Sequence, residues 1–154
     1  MRQEASDSKF VEWSKWRSIE SWDTQAIAEF TEKNGLLTGL DIGGGIGTFA
    51  NAICDLNKNI EFIDIIDPSV DAHENFVNHP KTNLLKTTFE LMPQKRSYDF
   101  ITINLVCHHI IDETNKSTIE RQLALLKKAR SLLSEKGFLF VEENIYESYF
   151  SPDS

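Results

Sequence analysis

The fold is decided by residues 40–50, which read LDIGGGIGTFA, and by Asp67, twenty residues after Gly47. Three alternating glycines (Gly43, Gly45 and Gly47) come after an apolar run and before an apolar helical pattern. Because glycine adopts positive φ and has no Cβ, such a turn lets the backbone approach a ligand. The following helix directs free N–H groups into the turn, and an acid at the end of the next strand can accept ribose hydroxyls. The pattern predicts a cradle for a nucleotide-type cofactor.

Length and composition restrict the classes of protein that this sequence can encode. The chain has 154 residues, of which 40% are hydrophobic and 26% are charged, values typical of one soluble globular domain. No apolar run approaches the roughly 20 residues of a membrane span, and residues 1–7 lack the apolar segment of a secretory signal. A net charge of −8 opposes binding to phosphate backbones. We therefore predict a cytoplasmic protein that binds neither nucleic acid nor membrane.

The two cysteines give no sign of a metal site. Cys54 and Cys107 lie far apart in apolar segments, and neither has a second ligand at metal-binding spacing. We predict two reduced, buried thiols and no bound metal.

Apolar periodicity divides the chain into alternating helices and strands. Helices are predicted over 10–33, 46–56, 68–78 and 116–134, and strands over 36–42, 60–66, 83–88, 98–106 and 137–142. The apolar stripes of the first and last helices place Trp22, Ile119 and Leu123 against the sheet. This alternation predicts an α/β domain with a mostly parallel sheet and helices on both faces. Right-handed crossovers leave few strand orders, and we predict the order 3-2-1-4-5. We predict one domain over 1–154, with a helical cap (1–35), a core (36–143) and a tail (144–154).

Two cofactors are consistent with the glycine turn. Residues 45–50 match the G-x-G-x-x-A pattern of dinucleotide-binding folds, and Asp67 has the spacing of their ribose-binding acid. The second candidate is S-adenosylmethionine, because Asp41 stands two residues before the first glycine, where its carboxylate can hold an ammonium group. The same carboxylate would repel a pyrophosphate. Asp41 therefore favours S-adenosylmethionine.

Four segments, in the same order and spacing, resemble the Rossmann-like (class I) S-adenosylmethionine-dependent methyltransferases. They are 41–47 (DIGGGIG), 65–69 (IIDPS), the pair 98–101 and 104–110 (YDFI and NLVCHHI), and 126–141. The resemblance covers residues 36–143 and implies a Rossmann-like core. It also implies transfer of a methyl group from S-adenosylmethionine to a small-molecule acceptor, with S-adenosylhomocysteine as the product.

The resemblance further implies which residues contact the cofactor. Asp41 would lie near the amino group of the methionine part, and Asp67 would bind the ribose hydroxyls. The other implied contacts are Gly43, Gly45, Gly47, Pro68, Thr88, Phe89 and Asn104. Position 88 departs from the family, because many relatives have Asp there to accept from the adenine amino group. The hydroxyl of Thr88 accepts the same bond more weakly.

Two histidines follow the fourth predicted strand, near the position that the resemblance implies for the methyl group. They are His108 and His109, and an imidazole can take a proton from an oxygen or nitrogen acceptor near neutral pH. We predict that one of them is a catalytic base, although both can equally shape the pocket wall or bond to backbone. Trp13 and Trp16, before the first strand, are candidates for a lid that excludes water.

The end of the chain departs most from the family. Relatives continue past the fifth strand with a helix and an antiparallel hairpin, which residues 144–154 are too few to form. The fifth strand would then be an edge with unpaired backbone groups, and we expect the tail, a second copy or a partner chain to cover it. The alternatives to an enzyme are a non-catalytic methyltransferase-like module that binds cofactor or protein, and a truncated relative that needs a partner chain. A nicotinamide-dependent enzyme is the third candidate.

Overall fold

The computed structural model describes residues 21–93 and 96–143. The helices are α1 (Trp22–Lys33), α2 (Thr48–Leu56), α3 (Val70–Glu74) and α4 (Asn115–Leu132), and the strands are β1 (Thr38–Ile42), β2 (Phe62–Ile66), β3 (Thr82–Leu85), β4 (Tyr98–Asn104) and β5 (Leu133–Glu142). Single 3-10 turns occupy Phe89–Leu91 and Cys107–His109. The predicted lid residues Trp13 and Trp16 and the predicted tail lie outside the described residues.

The strands form one parallel sheet in the order β3-β2-β1-β4-β5, which confirms the predicted order. The central strand β1 pairs with β2 from Thr38↔Phe62 to Ile42↔Ile66, and with β4 on its other side. Parallel neighbours need crossover connections, and right-handed crossovers place helices on both faces of the sheet. The winding reverses between β1 and β4, so their carboxyl ends border the switch point where ligands bind in such sheets.

Apolar side chains cover both faces of the sheet because parallel strands are buried on both sides. The face toward α1 and α2 buries Phe49, Ile53, Ile63, Ile65 and Phe100. The face toward α4 buries Leu40, Ile66, Tyr98, Ile101, Ile103 and Leu132. Strand residues alternate between faces, and Asp41 is paired with Thr102 in the register. Asp41, Thr102 and Asn104 therefore share the α1–α2 face with Phe100.

The amino ends of β1, β4 and β5 are held together by Asp99. Its Oδ2 accepts the N–H groups of Leu37 and Thr38 at 3.1 and 3.0 Å and the Thr38 hydroxyl at 3.0 Å. Its Oδ1 accepts the Ser134 hydroxyl at 3.3 Å. Burial favours the protonated carboxyl, but these hydrogen bonds outweigh burial and lower the pKa of Asp99. This member of the YDFI segment therefore has a structural role, at the end of the sheet away from the switch point.

The helix after β2 is shorter than predicted. It begins at Val70 rather than at Pro68, because Ser69 is its N-cap and its hydroxyl accepts the Ala72 N–H at 3.1 Å. It ends at Glu74, four residues before the predicted end. The predicted place of Pro68 in the first turn is wrong, and Pro68 instead precedes the cap.

The carboxyl end of β4 and the amino end of β5 also differ from the prediction. β4 stops at Asn104 because Leu105 adopts a φ of 56°, which is incompatible with an extended strand. β5 begins at Leu133, inside the predicted helix, and this residue pairs with Tyr98. Residues 134–137 then lie opposite only Asp99, and regular pairing resumes beyond this irregularity.

Three apolar residues predicted to face the sheet are exposed. Ile119 and Leu123 on α4 are 55% and 46% exposed, and Trp22 at the start of α1 is 79% exposed. The buried residues of α4 are Leu125, Ala129 and Leu132, so its contact with the sheet is concentrated in its second half. The burial predicted for these three positions on α1 and α4 is therefore wrong.

Within the described ranges, β5 is an edge of the sheet, as predicted. Phe138 and Val141 on this strand are 38% and 48% exposed. Phe138 packs edge-to-face on Phe30 of α1, with ring centroids 4.9 Å apart. None of the helices in these ranges is long and apolar enough to traverse a bilayer.

Candidate functional site

The glycine turn connects the carboxyl end of β1 to α2. Gly43, Gly45 and Gly47 have φ values of 72°, 56° and 87°, which glycine adopts without the steric cost of a Cβ. A Cβ on Gly43 would also lie 2.5 Å from Cγ2 of Val106. Gly47 is the N-cap of α2, so the amino end of that helix, which carries partial positive charge, borders the turn. The turn therefore has the geometry that the glycine spacing predicts.

Asp67 lies beside this turn, directly after β2, and is 6% exposed. Its Oδ2 accepts the Gly45 N–H at 3.0 Å, and its Oδ1 accepts the Ser69 N–H at 2.8 Å. A carboxylate has about four acceptor positions, so these two bonds leave capacity for hydroxyl donors from a ligand. The Asp67 carbonyl accepts from Nε2 of His73 at 2.6 Å, a contact that the sequence analysis did not predict. Both the side chain and the backbone of Asp67 are therefore fixed.

Asp41 is buried beneath the turn, with 2% exposure. The Thr102 hydroxyl on β4 donates to Asp41 Oδ1 at 2.7 Å. A Cβ on Gly44 would lie 2.4 Å from Asp41 Oδ2, so the carboxylate occupies the space that a side chain at position 44 would need. The sequence analysis did not include Gly44 among the site residues. The available signal was an acid on the preceding strand, three residues earlier.

Asn104 ends β4 on the same face as Asp41. Both polar atoms of its amide are buried, and no other group in the described part of the chain bonds to them. An unpaired buried polar group costs about 1–3 kcal/mol, which points to a ligand or water as the partner. A cavity of about 410 Å³ adjoins Asn104, between α1 and β5. Its lining includes Trp22, Asp23, Ala26, Ile27, Phe140 and Glu142, an apolar wall with two acids and the volume of a small-molecule site.

The two predicted catalytic histidines stand together on the 3-10 turn after β4, with ring centroids 4.0 Å apart. Glu143, the residue after β5, accepts the His108 N–H at 2.9 Å, and the same oxygen lies 3.2 Å from His108 Nδ1. Gln122 on α4 holds the turn from the other side by donating to the Cys107 carbonyl at 2.9 Å. Burial, and then the neighbouring His108, lower the pKa of His109 against the opposing effect of Glu143. The lowered pKa makes His109 a weaker proton acceptor than an ordinary histidine.

The structure does not bring all the predicted contacts into the glycine turn. Pro68 is exposed, and Thr88 is the half-buried N-cap of the 3-10 turn at Phe89–Leu91. Phe89 is 5% exposed and belongs to the core on the α4 face. Lys128 Nζ lies 5.0 Å from its ring centroid and donates to its carbonyl at 2.6 Å. The residues at the switch point are Asp41, Gly43, Gly45, Gly47, Asp67 and Asn104, whereas the Phe89 side chain is part of the core.

The fold and this site define a Rossmann-like α/β domain with a glycine turn and two buried acids at its switch point. The chain belongs to the methyltransferase domain family, whose model matches residues 16–150. This match confirms the family resemblance of the glycine turn and the later segments. A search of curated proteins finds no sequence that matches the chain.

Solved methyltransferase structures share the fold. The plantazolicin methyltransferase BpumL in complex with SAH matches with a TM-score of 0.62 at 22% identity, over 88% of this chain and 49% of that chain. The N-methyltransferase NodS from Bradyrhizobium japonicum WM9, in complex with S-adenosyl-L-homocysteine, matches with 0.60 at 13% identity, over 86% and 71%. DesVI of Streptomyces venezuelae matches with 0.64 at 16% identity, over 83% and 52%. The chain spans about half the length of the BpumL structures that it matches.

Proposed function

We propose that this chain is an S-adenosylmethionine-dependent methyltransferase domain that transfers a methyl group to a small-molecule acceptor. The observation that carries the proposal is the carboxyl edge of the sheet, where positive-φ glycines, the buried Asp67 and the Asn104 amide surround the switch point. Membership of the methyltransferase domain family supports the activity. SAH in the BpumL and NodS structures supports the cofactor. Coclaurine N-methyltransferase bound to N-methylheliamine and SAH supports a small organic acceptor.

The described residues fit this cofactor. The positive φ of Gly43 lets the backbone turn sharply at the end of β1, and Asp67 retains acceptor capacity for the ribose hydroxyls. The Asn104 amide offers both a donor and an acceptor at the end of β4. Asp41, beneath the turn, supplies negative charge near the expected methionine ammonium. The remaining cofactor contacts in this proposal are Gly45, Gly47, Pro68 and Thr88.

When bound, S-adenosylmethionine supplies an electrophilic methyl group, and the electron pair of the broken carbon–sulfur bond stays on sulfur. The protein contributes positioning and exclusion of water. The cavity bordered by Trp22 and Glu142 would hold the acceptor beside Asn104. His108 would take the proton that an oxygen or nitrogen acceptor loses as its bond to the methyl carbon forms.

Titration calorimetry of the full chain with S-adenosylmethionine, and with NADH for comparison, tests the cofactor. We expect micromolar binding of S-adenosylmethionine alone. Binding of NADH alone would contradict the proposal and favour a nicotinamide-dependent enzyme. Binding of neither would favour a non-catalytic module, or a relative that needs a second copy or a partner chain over the exposed edge of β5.

Asp67 provides the sharpest single-residue test of the cradle. Asp67→Ala should lose charge-assisted bonds to the ribose, about 2 kcal/mol or about 30-fold in affinity for S-adenosylmethionine. Asp55→Ala is the matched control, because Asp55 is an exposed acid that pairs with Lys58 at 3.0 Å, away from the switch point. Circular dichroism should show that both variants fold. Equal affinities in the two variants would remove Asp67 from the proposed site.

A further inference from the structure

His108 is held by a carboxylate through one particular ring nitrogen. Oε2 and Oε1 of Glu143 lie 3.2 and 3.4 Å from His108 Nδ1, and Oε2 also accepts the His108 backbone N–H at 2.9 Å. The Glu143 side chain is 21% exposed, whereas that of His108 is 46% exposed. One carboxylate therefore restrains both the turn and the orientation of the imidazole on it.

This contact decides which nitrogen carries the proton of the neutral imidazole. A carboxylate only accepts, so Nδ1 is the donor and the lone pair is left on Nε2. Over the described ranges, Nε2 of His108 has no hydrogen-bond partner. Two other histidines have the opposite arrangement. His73 Nε2 donates to a carbonyl at 2.6 Å, and His79 Nδ1 accepts the Lys81 N–H at 3.1 Å, so both carry the proton on Nε2.

The groups around His108 are compatible with this arrangement. On its own turn it contacts His109, whose pKa is lowered by burial and by His108, so His109 stays neutral near pH 7. The Cys107 thiol also remains protonated, because burial and then Glu143 raise its pKa. From α4 comes the neutral amide of Gln122, which bonds to the Cys107 carbonyl. Glu143 is therefore the charged group that contacts His108 in the described part of the chain.

We propose that Glu143 is a positioning residue that holds His108 as its Nδ1–H tautomer and leaves Nε2 to act as the base. The inference rests on the proposed function, since it assigns an atom to the proton transfer of that reaction. Nε2 takes the proton from the acceptor O–H or N–H as the acceptor lone pair bonds to the methyl carbon, and the carbon–sulfur electron pair stays on sulfur. Glu143 stabilises the imidazolium that results. His108 and Glu143 do not line the cavity beside Asn104. They follow β4 and β5 directly, so the pair stands at the carboxyl edge of the sheet, which also carries Asn104 and the glycine turn.

Long-range ¹H–¹⁵N spectra of the full ¹⁵N-labelled chain test this inference without an acceptor. They report which nitrogen of each neutral imidazole is protonated. The chain has four histidines, and His108→Gln assigns the His108 signals. We expect His108 to show protonated Nδ1, while His73 and His79 in the same spectrum show protonated Nε2. Protonated Nε2 at His108 in the unsubstituted chain would overturn the inference.

Variants of Glu143 test whether its carboxylate positions the His108 imidazole or only accepts the His108 backbone N–H. Glu143→Ala should lose the preference for Nδ1–H, whereas Glu143→Gln should keep it, because the amide oxygen still accepts. Glu142→Ala, one residue earlier, is the matched control and should keep it as well. An unchanged His108 tautomer in a folded Glu143→Ala variant would show that the carboxylate serves only the backbone N–H, and the inference would fail.

Failure of this inference is distinguishable from failure of the proposed function. Protonated Nε2 at His108, together with intact S-adenosylmethionine binding, contradicts the role of Glu143 alone. Protonated Nδ1 in a chain that binds no S-adenosylmethionine contradicts the proposed function alone.

Discussion

Two buried or half-buried carboxylates stand at opposite ends of the same sheet, and both accept backbone N–H groups. At the amino end, Asp99 accepts from Leu37 and Thr38 and from two hydroxyls, four bonds in all. At the carboxyl end, Asp67 accepts from Gly45 and one further N–H, two bonds in all. A carboxylate accepts about four bonds, so Asp99 is saturated by the protein and Asp67 is not. The same chemistry thus supports stability at one end and leaves capacity for a ligand at the other.

A glycine with positive φ also lies at each end. Gly35, between α1 and β1, has φ 63°, and Gly43, after β1, has φ 72°. A Cβ on Gly35 would meet nothing within 4 Å, whereas one on Gly43 would lie 2.5 Å from Val106. Gly35 is therefore needed only for its positive φ and not to avoid a steric clash. The carboxyl-end glycine also makes room for the Val106 side chain, which occupies the place of a Cβ at the switch point.

The largest expected effect compares Gly43→Ala with Gly35→Ala. Both place a Cβ in the left-handed region, at a cost of about 1–2 kcal/mol, and Gly43→Ala adds about 1–3 kcal/mol for overpacking against Val106. Gly43→Ala should also abolish S-adenosylmethionine binding, whereas Gly35→Ala should leave the dissociation constant unchanged. Urea unfolding and calorimetry measure the two quantities. Equal losses of unfolding free energy and of S-adenosylmethionine affinity in both variants would show that the two ends of the sheet do not differ in their role.

The next effect isolates the amino end. Asp99→Ala should lower the free energy of unfolding by about 2–3 kcal/mol, because it leaves the N–H groups of Leu37 and Thr38 without their acceptor. Its affinity for S-adenosylmethionine should stay within about twofold of the original, or about 0.4 kcal/mol, because the substitution removes no contact at the switch point. Asp67→Ala is the reverse case, with the larger loss in affinity. Chemical denaturation and calorimetry on the same preparations compare the two variants, and a loss of affinity in Asp99→Ala would break the separation.

The contrast between the ends also explains what could be predicted from the sequence. The glycine turn depends on local spacing, and the strand order depends on the helix–strand alternation together with right-handed crossovers, which is why the sequence predicts both. Residues 43–47 must adopt special backbone angles, and only glycine does so cheaply. Such a requirement is visible in one short segment.

Contacts between distant segments could not be predicted in this way. His108 and Glu143 meet because β4 and β5 are neighbours whose carboxyl ends are aligned. The apolar periodicity of each strand does not predict how two strands align. The exposure of Trp22 likewise depends on where α1 begins relative to the sheet. The space that Gly44 leaves for Asp41 follows from the rotamer of a buried acid. Each of these features is decided by packing rather than by local pattern.

The smallest effect is the pH dependence that Asp99 contributes. Its pKa is lowered in the folded protein, since its hydrogen bonds outweigh burial, while in the unfolded chain it is near 3.9, the model-peptide value. The stabilisation is therefore fully present above about pH 4 and is lost as the pH falls through the folded pKa. Asp99→Asn lacks this titration, so the difference in unfolding free energy between the original chain and Asp99→Asn should narrow from pH 6 toward pH 3. Urea unfolding at several pH values measures the narrowing. A constant difference would mean that the hydrogen bonds of Asp99 stabilise the amino end equally well when its carboxyl is protonated.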